Sequence, residues 1–347
     1  MASSLGLTFH RCRIMHLFPP LRSQCGGQRH ANLDPLRTIT LAKKHVKLSS
    51  MSSYGSSFSP QLLTCSSLVS SILPCRFATI YRSNNKPRPE RPKAQTTIDE
   101  EEIKKFSALA NLWWDETGEF EALHSMNSLR VPLIRDALKD KMAVTEDYNP
   151  LMPLQGMKMI DIGSGGGILS EPLARLGATV IGVDASEDNI KTAQAHLRQD
   201  PSIVCRVKYI HSTVEDLVIT EENKFDALVA SEVVEHVADV DVFVECCCKL
   251  VKPGGSLFFT TINKTPMSYI LGVLMAERVL RLVAPGTHDW KKFISPQDLM
   301  FLIENSGCSI RLLHGMKYQP LSKKWCWTSD TSINYALHAV KNKEQNH

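Results

Sequence analysis

The first 89 residues of this 347-residue chain have almost no acidic side chains. They contain twelve Lys and Arg and one acid, Asp34, for a net charge of +11, whereas the 28 basic and 35 acidic residues that follow give −7. The overall charge of +4 and the isoelectric point near 8.5 therefore describe neither part of the chain. Because the larger part is mildly acidic, the composition is no argument for nucleic-acid binding, and we expect no nucleic-acid partner.

Long apolar runs and cysteine pairs are also missing. No stretch reaches the roughly 18 apolar residues of a membrane-spanning helix, and no apolar run typical of a secretory signal opens the chain. Six of the ten cysteines lie beyond residue 89, and they form no CxxC pair and no Cys/His zinc spacing. We therefore expect the adjacent Cys246, Cys247 and Cys248 to be apolar packing residues in a reducing compartment, rather than metal ligands or a redox centre.

The N-terminal segment has the composition of a mitochondrial transit peptide. It is rich in arginine, poor in acids, and has eleven serines in residues 49–71, all of which are typical of such peptides. A disordered basic tail that binds nucleic acid is the alternative. Three prolines in residues 86–93 indicate a linker. We predict a transit peptide and disordered linker over residues 1–89, and one large folded domain over residues 90–347.

Beyond residue 150, short apolar runs rich in β-branched residues alternate with helical patterns. This alternation predicts an α/β fold with a mostly parallel sheet and helices on both faces. Residues 97–138 have helical spacing and predict N-terminal helices before the sheet. Strand-like runs at 309–316 and 333–340, joined by a long loop, predict an antiparallel C-terminal hairpin, for seven strands in all.

A glycine-rich loop follows the first predicted strand. Residues 161–167 read DIGSGGG, and Asp184 ends the second predicted strand 21 residues after Gly163. Glycines admit a flat ligand close to the backbone, and an acid at this place can accept hydrogen bonds from a ribose diol. The pattern therefore predicts an adenosine-type cofactor, with a structural turn and a surface acid as the alternative. A dinucleotide loop would have its third glycine where Ile168 stands, so the pattern favours S-adenosylmethionine over NAD.

Two acids and a histidine follow the fourth predicted strand, directly after Ser231. If this segment is helical, Glu232, Glu235 and His236 share one face. Two carboxylates and an imidazole can bind a divalent cation, or His236 can act as a general base oriented by a glutamate. A charged helix start, stabilised by the helix dipole, is the structural alternative.

Residues 264–286 form an insertion after the fifth predicted strand. Residues 267–276 are almost wholly apolar, and Glu277, Arg278 and Arg281 follow them. The segment is too short and too charged to span a bilayer. It suits a helix that lies in a membrane surface or covers an apolar substrate, and an ordinary core-facing helix is the alternative.

Six segments together resemble one family. They read DIGSGGG, VIGVDAS, SEVVEHV, VKPGG, TTINKTP and GTHDWKKFISPQDL, within about residues 98–341. The first resembles motif I of the class I S-adenosylmethionine-dependent methyltransferases, whose fold is Rossmann-like. All six are similar to the ubiquinone biosynthesis O-methyltransferases. The resemblance implies two reactions: conversion of a 3,4-dihydroxy-5-polyprenylbenzoate to its 3-methoxy form, and of a demethylubiquinol to ubiquinol.

The resemblance also implies roles for particular residues. Those implied to bind S-adenosylmethionine are Arg130, Gly163, Asp184 and Ser231, and those implied to bind Mg²⁺ and to carry the catalysis are Glu232, Glu235 and His236. It implies a peripheral enzyme on the matrix side of the mitochondrial inner membrane, in contact with the membrane through residues 264–286. The implied partners are the polyprenylated catechol or quinol substrate and other enzymes of the coenzyme Q biosynthetic complex.

Two other functions remain open at this point. A soluble small-molecule or tRNA methyltransferase would have the same cofactor motifs but no use for the apolar insertion. A non-catalytic scaffold would keep the methyltransferase fold without turnover.

Overall fold

The structure is a computed structural model that describes residues 96–139, 149–269 and 290–343. The predicted transit peptide and linker lie outside the described residues, and so do residues 270–286 of the predicted insertion. These assignments therefore stay predictions. Within the described ranges, no helix is both long enough and apolar enough to cross a membrane.

A central sheet of eight strands organises the described part of the chain. The strands are β1 (Lys158–Ile162), β2 (Thr179–Asp184), β3 (Val207–His211), β4 (Phe225–Ser231), β5 (Val251–Ile262), β6 (Cys308–Gln319), β7 (Lys324–Thr328) and β8 (Asn334–Lys341). Their order in the sheet is β3-β2-β1-β4-β5-β8-β6-β7. The first five in this order are parallel, and β8, β6 and β7 continue the sheet in antiparallel pairs.

Helices precede the sheet and connect its strands. They are α1 (Glu100–Ala108), α2 (Glu121–Lys139), α3 (Ser170–Arg175), α4 (Glu187–Leu197), α5 (Val214–Glu221), α6 (Val240–Leu250), the single turn α7 (Pro266–Ser268) and α8 (Pro296–Asn305). Side chains of Asp99, Ser186 and Thr213 accept hydrogen bonds from the first backbone amides of α1, α4 and α5. Such caps satisfy amides that have no partner within the helix, so these three polar residues determine where the helices begin.

The hydrophobic core has two layers, one on each face of the sheet. Alternate residues of β4 enter different layers, because successive side chains of a strand point to opposite faces. Leu228 and Ala230 pack with α5, α6 and α8. Ala227 and Val229 pack with α2, α3 and α4. The predicted α/β fold, with a mostly parallel sheet, helices and antiparallel C-terminal strands, is confirmed.

The predicted number of seven strands is wrong, because the loop expected between the last two strands contains β7. This edge strand pairs with β6, where Met316 lies opposite Trp327. The indole of Trp325 donates a hydrogen bond of 2.9 Å to the carbonyl of Ala122 on α2. The two tryptophans and the threonine of this five-residue segment favour a strand, but so short a run falls within the predicted loop, and β7 is stabilised by its contacts with β6 and α2.

Candidate active site

The glycine-rich loop turns sharply after β1. Gly163 and Gly165 have φ angles of +70° and +53°, which residues with a Cβ rarely adopt. A Cβ on Gly163 would collide with Val233, and one on Gly165 would lie 2.5 Å from a ring carbon of Trp113. The amide of Gly163 donates to the carbonyl of Val183 in β2 at 2.8 Å. The loop is therefore bound to β2, and neither glycine has room for a side chain.

The carboxylate of Asp184 is held by three hydrogen bonds at the end of β2. Its Oδ2 accepts from the amide of Gly165 at 2.9 Å, and its Oδ1 accepts from the amide of Ser186 at 2.8 Å and from Nδ2 of Asn189 at 3.1 Å. Burial raises the pKa of Asp184 above its ordinary value, although these hydrogen bonds oppose the change. A carboxylate offers about four acceptor positions, so one remains for a ligand hydroxyl.

A cavity of about 800 Å³, its open mouth included, lies at the carboxyl ends of the parallel strands. Gly163 and Asp184 line it, together with Glu232 and His236 from the segment after β4. Much of the remaining lining comes from residues that follow β2 and β3 and from one face of α1 with the residues before it. Open α/β sheets bind their ligands at this edge, so the cavity is the candidate active site.

An indole ring covers the glycine-rich loop. Trp113 stacks on Phe120 with ring centroids 3.9 Å apart, and its Nε1 donates to Oδ1 of Asn189 at 2.8 Å. The amide group of Asn189 thus joins Trp113 to Asp184. The segment between α1 and α2 is therefore part of the cavity wall, although it lies far from the loop in sequence.

Arg130 and Ser231 contact each other directly. Arg130 is buried in α2, and its Nη1 donates to Oγ of Ser231 at 2.8 Å. Its Nη2 donates to Oδ1 of Asn127 at 2.7 Å. Burial lowers the pKa of Arg130 to about 10, while the nearby Glu232 and Asp161 oppose the change. The guanidinium of Arg130 therefore stays charged at neutral pH, in contact with Ser231, the residue before Glu232.

The segment after β4 does not form the helix face that the spacing suggested. Glu232 has a φ of +57°, a left-handed conformation that stores on the order of 1–3 kcal/mol of strain in a residue with a side chain. Its amide donates to the carbonyl of Thr260 on β5 at 2.8 Å. Helical backbone begins only at the 3₁₀ turn Val234–His236. Strain at this position, in a residue that lines the cavity, is typical of a functional site.

The side chain of Glu235 is buried rather than exposed to the cavity. Its Oε2 accepts a hydrogen bond of 2.7 Å from Oγ1 of Thr261, and its Oε1 has no hydrogen-bond partner among the described residues. Burial, and then the charge of Glu232, raise the pKa of Glu235 well above its ordinary value, which favours the protonated carboxyl group.

His236 is oriented by a glutamate from α1. Its Nδ1 lies 3.0 Å from Oε2 of Glu102, and its ring meets Phe106 edge-on at 4.9 Å between centroids. Burial alone would raise the pKa of Glu102, but hydrogen bonds from His236, Lys292 and Lys105 outweigh it and lower the pKa to about 2. An ionised carboxylate can only accept, so Nδ1 carries the hydrogen and Nε2 is the basic nitrogen of the neutral ring.

Comparison with known proteins supports this interpretation of the cavity. Residues 160–259 match a family model described as a methyltransferase domain. Over 254 residues, which are 73% of this chain and 68% of the relative, the chain is 51% identical to the mitochondrial ubiquinone biosynthesis O-methyltransferase of Homo sapiens. It is 38% identical to the ubiquinone biosynthesis O-methyltransferase of Pelagibacter ubique, over 71% of this chain and 99% of the relative. The chain belongs to the ubiquinone biosynthesis O-methyltransferase family. The predicted enzyme class, an S-adenosylmethionine-dependent O-methyltransferase, is confirmed.

S-adenosylmethionine, the methyl donor of this family, fits the residues of the cavity. The backbone of Gly163 and Gly165 lines the cavity, and Asp184 keeps one acceptor position for a ribose hydroxyl. Of the four predicted cofactor residues, Gly163 and Asp184 line the cavity, whereas Arg130 and Ser231 pair with each other beside Glu232. Their roles in binding the cofactor stay predictions.

Magnesium does not fit the three predicted ligands as they are arranged here. Glu235 is buried and its Oε2 bonds Thr261, so its carboxylate does not face the cavity that Glu232 and His236 line. In the ranges that the structure describes, no group of three or more His, Cys, Asp or Glu side chains could hold a metal ion. We therefore derive no catalytic step through Mg²⁺.

Three residues of the site were missed by sequence reasoning. Glu102 lies among three consecutive acids at the start of α1, so its local sequence matches an ordinary helix N-terminus. Asn189 lies within a regular helical pattern. Trp113 had a visible signal, because two adjacent tryptophans end an otherwise ordinary helical segment.

Proposed function

We propose that this enzyme methylates ring hydroxyl groups of polyprenylated intermediates in ubiquinone biosynthesis. The two reactions convert a 3,4-dihydroxy-5-polyprenylbenzoate to the 3-methoxy-4-hydroxy form and a demethylubiquinol to ubiquinol. The 51% identity to the human relative over 254 residues carries this proposal. A relative in Methylobacterium nodulans, at 42% identity, is also a ubiquinone biosynthesis O-methyltransferase. A relative in Arabidopsis thaliana, at 38% identity, is a mitochondrial ubiquinone biosynthesis O-methyltransferase.

The cofactor residues would act on the adenosine and methionine parts of S-adenosylmethionine, which supplies a methyl group on a positively charged sulfur. Gly163 would present its backbone to the ligand at the cavity wall. The free acceptor position of Asp184 receives a ribose hydroxyl. Arg130 stays charged and pairs with the methionine carboxylate, and Ser231 holds its guanidinium at 2.8 Å.

His236 would take the proton of the substrate hydroxyl. A ring hydroxyl has a pKa near 10, so it is protonated at neutral pH and attacks poorly. As the oxygen–carbon bond forms and the carbon–sulfur bond breaks, this proton passes to Nε2 of His236. The imidazolium that results is stabilised by the carboxylate of Glu102, 3.0 Å from Nδ1.

Product analysis tests the substrate class. The purified chain is incubated with methyl-labelled S-adenosylmethionine and, in separate reactions, a polyprenylated dihydroxybenzoate, a demethylubiquinol, an unprenylated catechol and tRNA. We expect label on the 3-oxygen of the first and on the demethylated ring hydroxyl of the second, not on its two quinol hydroxyls, with at least about tenfold less on the other two substrates. Preferred labelling of tRNA or of the unprenylated catechol would contradict the proposal. Cofactor binding without any transfer would favour a scaffold.

A magnesium requirement remains a separate prediction, supported by the family resemblance and not by the side-chain arrangement. EDTA treatment followed by turnover measurements with and without added MgCl₂ tests it. A fall in rate that magnesium restores would support the predicted ligands Glu232, Glu235 and His236. A turnover rate that EDTA does not change would mean that His236 removes the substrate proton without the help of a metal ion.

We also propose that the enzyme acts on the matrix side of the mitochondrial inner membrane, near other enzymes of the pathway. The transit-like composition of residues 1–89 supports import. Apolar side chains next to the two ends of the undescribed segment support membrane contact, because Met267, Tyr269 and Trp290 are exposed by 49%, 42% and 36%. Imaging of residues 1–89 fused to a fluorescent protein, and vesicle flotation with and without residues 264–286, test the two parts.

A further inference from the structure

Three parts of the chain that are distant in sequence meet at the carboxylate of Glu102. Its Oε2 lies 3.0 Å from Nδ1 of His236, which follows β4. Its Oε1 accepts hydrogen bonds of 3.0 Å from Nζ of Lys105 on the same helix and from Nζ of Lys292 in the 3₁₀ turn Trp290–Lys292. Both oxygens are thus engaged, and the side chain is only 6% exposed, so the carboxylate has a single orientation.

Lys292 also holds the start of α1. Its Nζ donates to Oδ2 of Asp99 at 2.7 Å, while Oδ1 of Asp99 accepts from the amides of Glu101 and Glu102. One ammonium group therefore binds both the cap of the helix and the carboxylate that faces His236. Asp99 and Glu102 also line the cavity, so this contact lies at the active site rather than on a distant surface.

The imidazole of His236 is held by α1 at two points. Glu102 fixes the direction of its Nδ1, and Phe106, one helical turn further along, packs edge-on against the ring. His236 ends the short 3₁₀ turn that follows the strained Glu232, and its amide donates to the carbonyl of Val233 at 2.8 Å. The orientation of the ring therefore depends on a helix that is 134 residues away in sequence.

We propose that Glu102 is a positioning residue, which fixes the orientation of the His236 ring in the cavity, and that Lys292 keeps Glu102 in place. This proposal rests on the proposed function, in which His236 acts on the substrate hydroxyl. An imidazole that takes part in the reaction must have the correct tautomer and the correct position, so the loss of its orienting carboxylate lowers turnover without removing the cofactor.

A double-mutant cycle tests the proposal on the whole chain, with kcat, KM and the Kd of S-adenosylhomocysteine measured for each variant. We expect Glu102→Gln, which keeps the size of the side chain, to lower kcat by about 10- to 100-fold while the Kd changes less than about threefold. Lys292→Met should lower kcat by about 3- to 10-fold. Glu101→Gln is the matched control, since Glu101 is exposed on the same helix, and it should leave kcat unchanged.

The decisive comparison is made in the His236→Ala background. If Glu102 acts through His236, Glu102→Gln should change the residual turnover of His236→Ala by less than about twofold. Full additivity of the two effects, or a weakened Kd for S-adenosylhomocysteine, would overturn the positioning role. If Glu102→Gln does not fold, Lys292→Met provides the same cycle, because it leaves both partners in place. Normal turnover of His236→Ala would instead refute the proposed proton transfer itself.

Discussion

Substitution of Asp184 by Asn should weaken cofactor binding without unfolding the protein. The two carboxylate oxygens accept from the amides of Gly165 and Ser186 on opposite sides, at 2.9 and 2.8 Å. An asparagine has one acceptor oxygen, so its NH₂ group must face one of these N–H donors. The fourth acceptor position, which we assign to the ribose, is lost or turned away.

The magnitude follows from the charge of the acceptor. A hydrogen bond to a charged group contributes about 1.5–3 kcal/mol, which corresponds to an affinity about 10- to 150-fold lower. Isothermal titration with S-adenosylhomocysteine measures this change. Asp188→Asn is the control, because Asp188 is an exposed acid four residues further along, in the first turn of α4. A Kd for Asp184→Asn within about threefold of the wild type, in a protein with normal thermal unfolding, would refute the assignment of Asp184.

Two further predictions concern the glycine-rich loop and the buried carboxylate of Asp161. Gly165→Ala and its control Gly156→Ala both place a Cβ at positive φ, but only the Cβ at residue 165 meets a neighbour, Trp113. Urea unfolding should therefore show Gly165→Ala as less stable than Gly156→Ala by at least about 1 kcal/mol. Equal losses of stability would mean that the contact with Trp113 is unimportant. Burial raises the pKa of Asp161 to about 6 from an ordinary 3.8. The folded state therefore binds more protons than the unfolded state between these values, and this residue should lower the free energy of unfolding by about 1.4 kcal/mol from pH 5 to pH 7.5. Asp161→Asn, whose amide oxygen can still accept from Ser170, should remove that dependence, and an unchanged slope would contradict it.

The parallel half of the fold could be predicted because each of its elements has a local signal. β1 and β2 are short segments rich in apolar β-branched residues; the glycine-rich loop follows β1, and Asp184 ends β2. The carboxyl ends of parallel strands meet at one edge, so the position of the cofactor site followed from the order of the elements. β7 could not be predicted, since it depends on pairing with β6 and on the contact of Trp325 with α2.

The arrangement of the acidic residues could not be predicted for a different reason. Their spacing fitted a helix face, but Glu232 adopts a left-handed backbone that its residue type does not signal. The partner of His236 is Glu102 rather than a neighbouring glutamate, and no local pattern joins residues 134 positions apart. Arg130 and Ser231 were assigned from the family resemblance alone, and the structure brings them into direct contact.

Methyl transfer by the wild type and by His236→Ala tests the central claim most directly. Labelled S-adenosylmethionine and a polyprenylated catechol are used for turnover, and S-adenosylhomocysteine for binding. We expect wild-type protein to place the label on a ring oxygen, and His236→Ala to lose at least about 100-fold in kcat while it binds S-adenosylhomocysteine normally. The account would be contradicted by wild-type protein that binds the cofactor but transfers no methyl group, or by a His236→Ala variant with wild-type turnover.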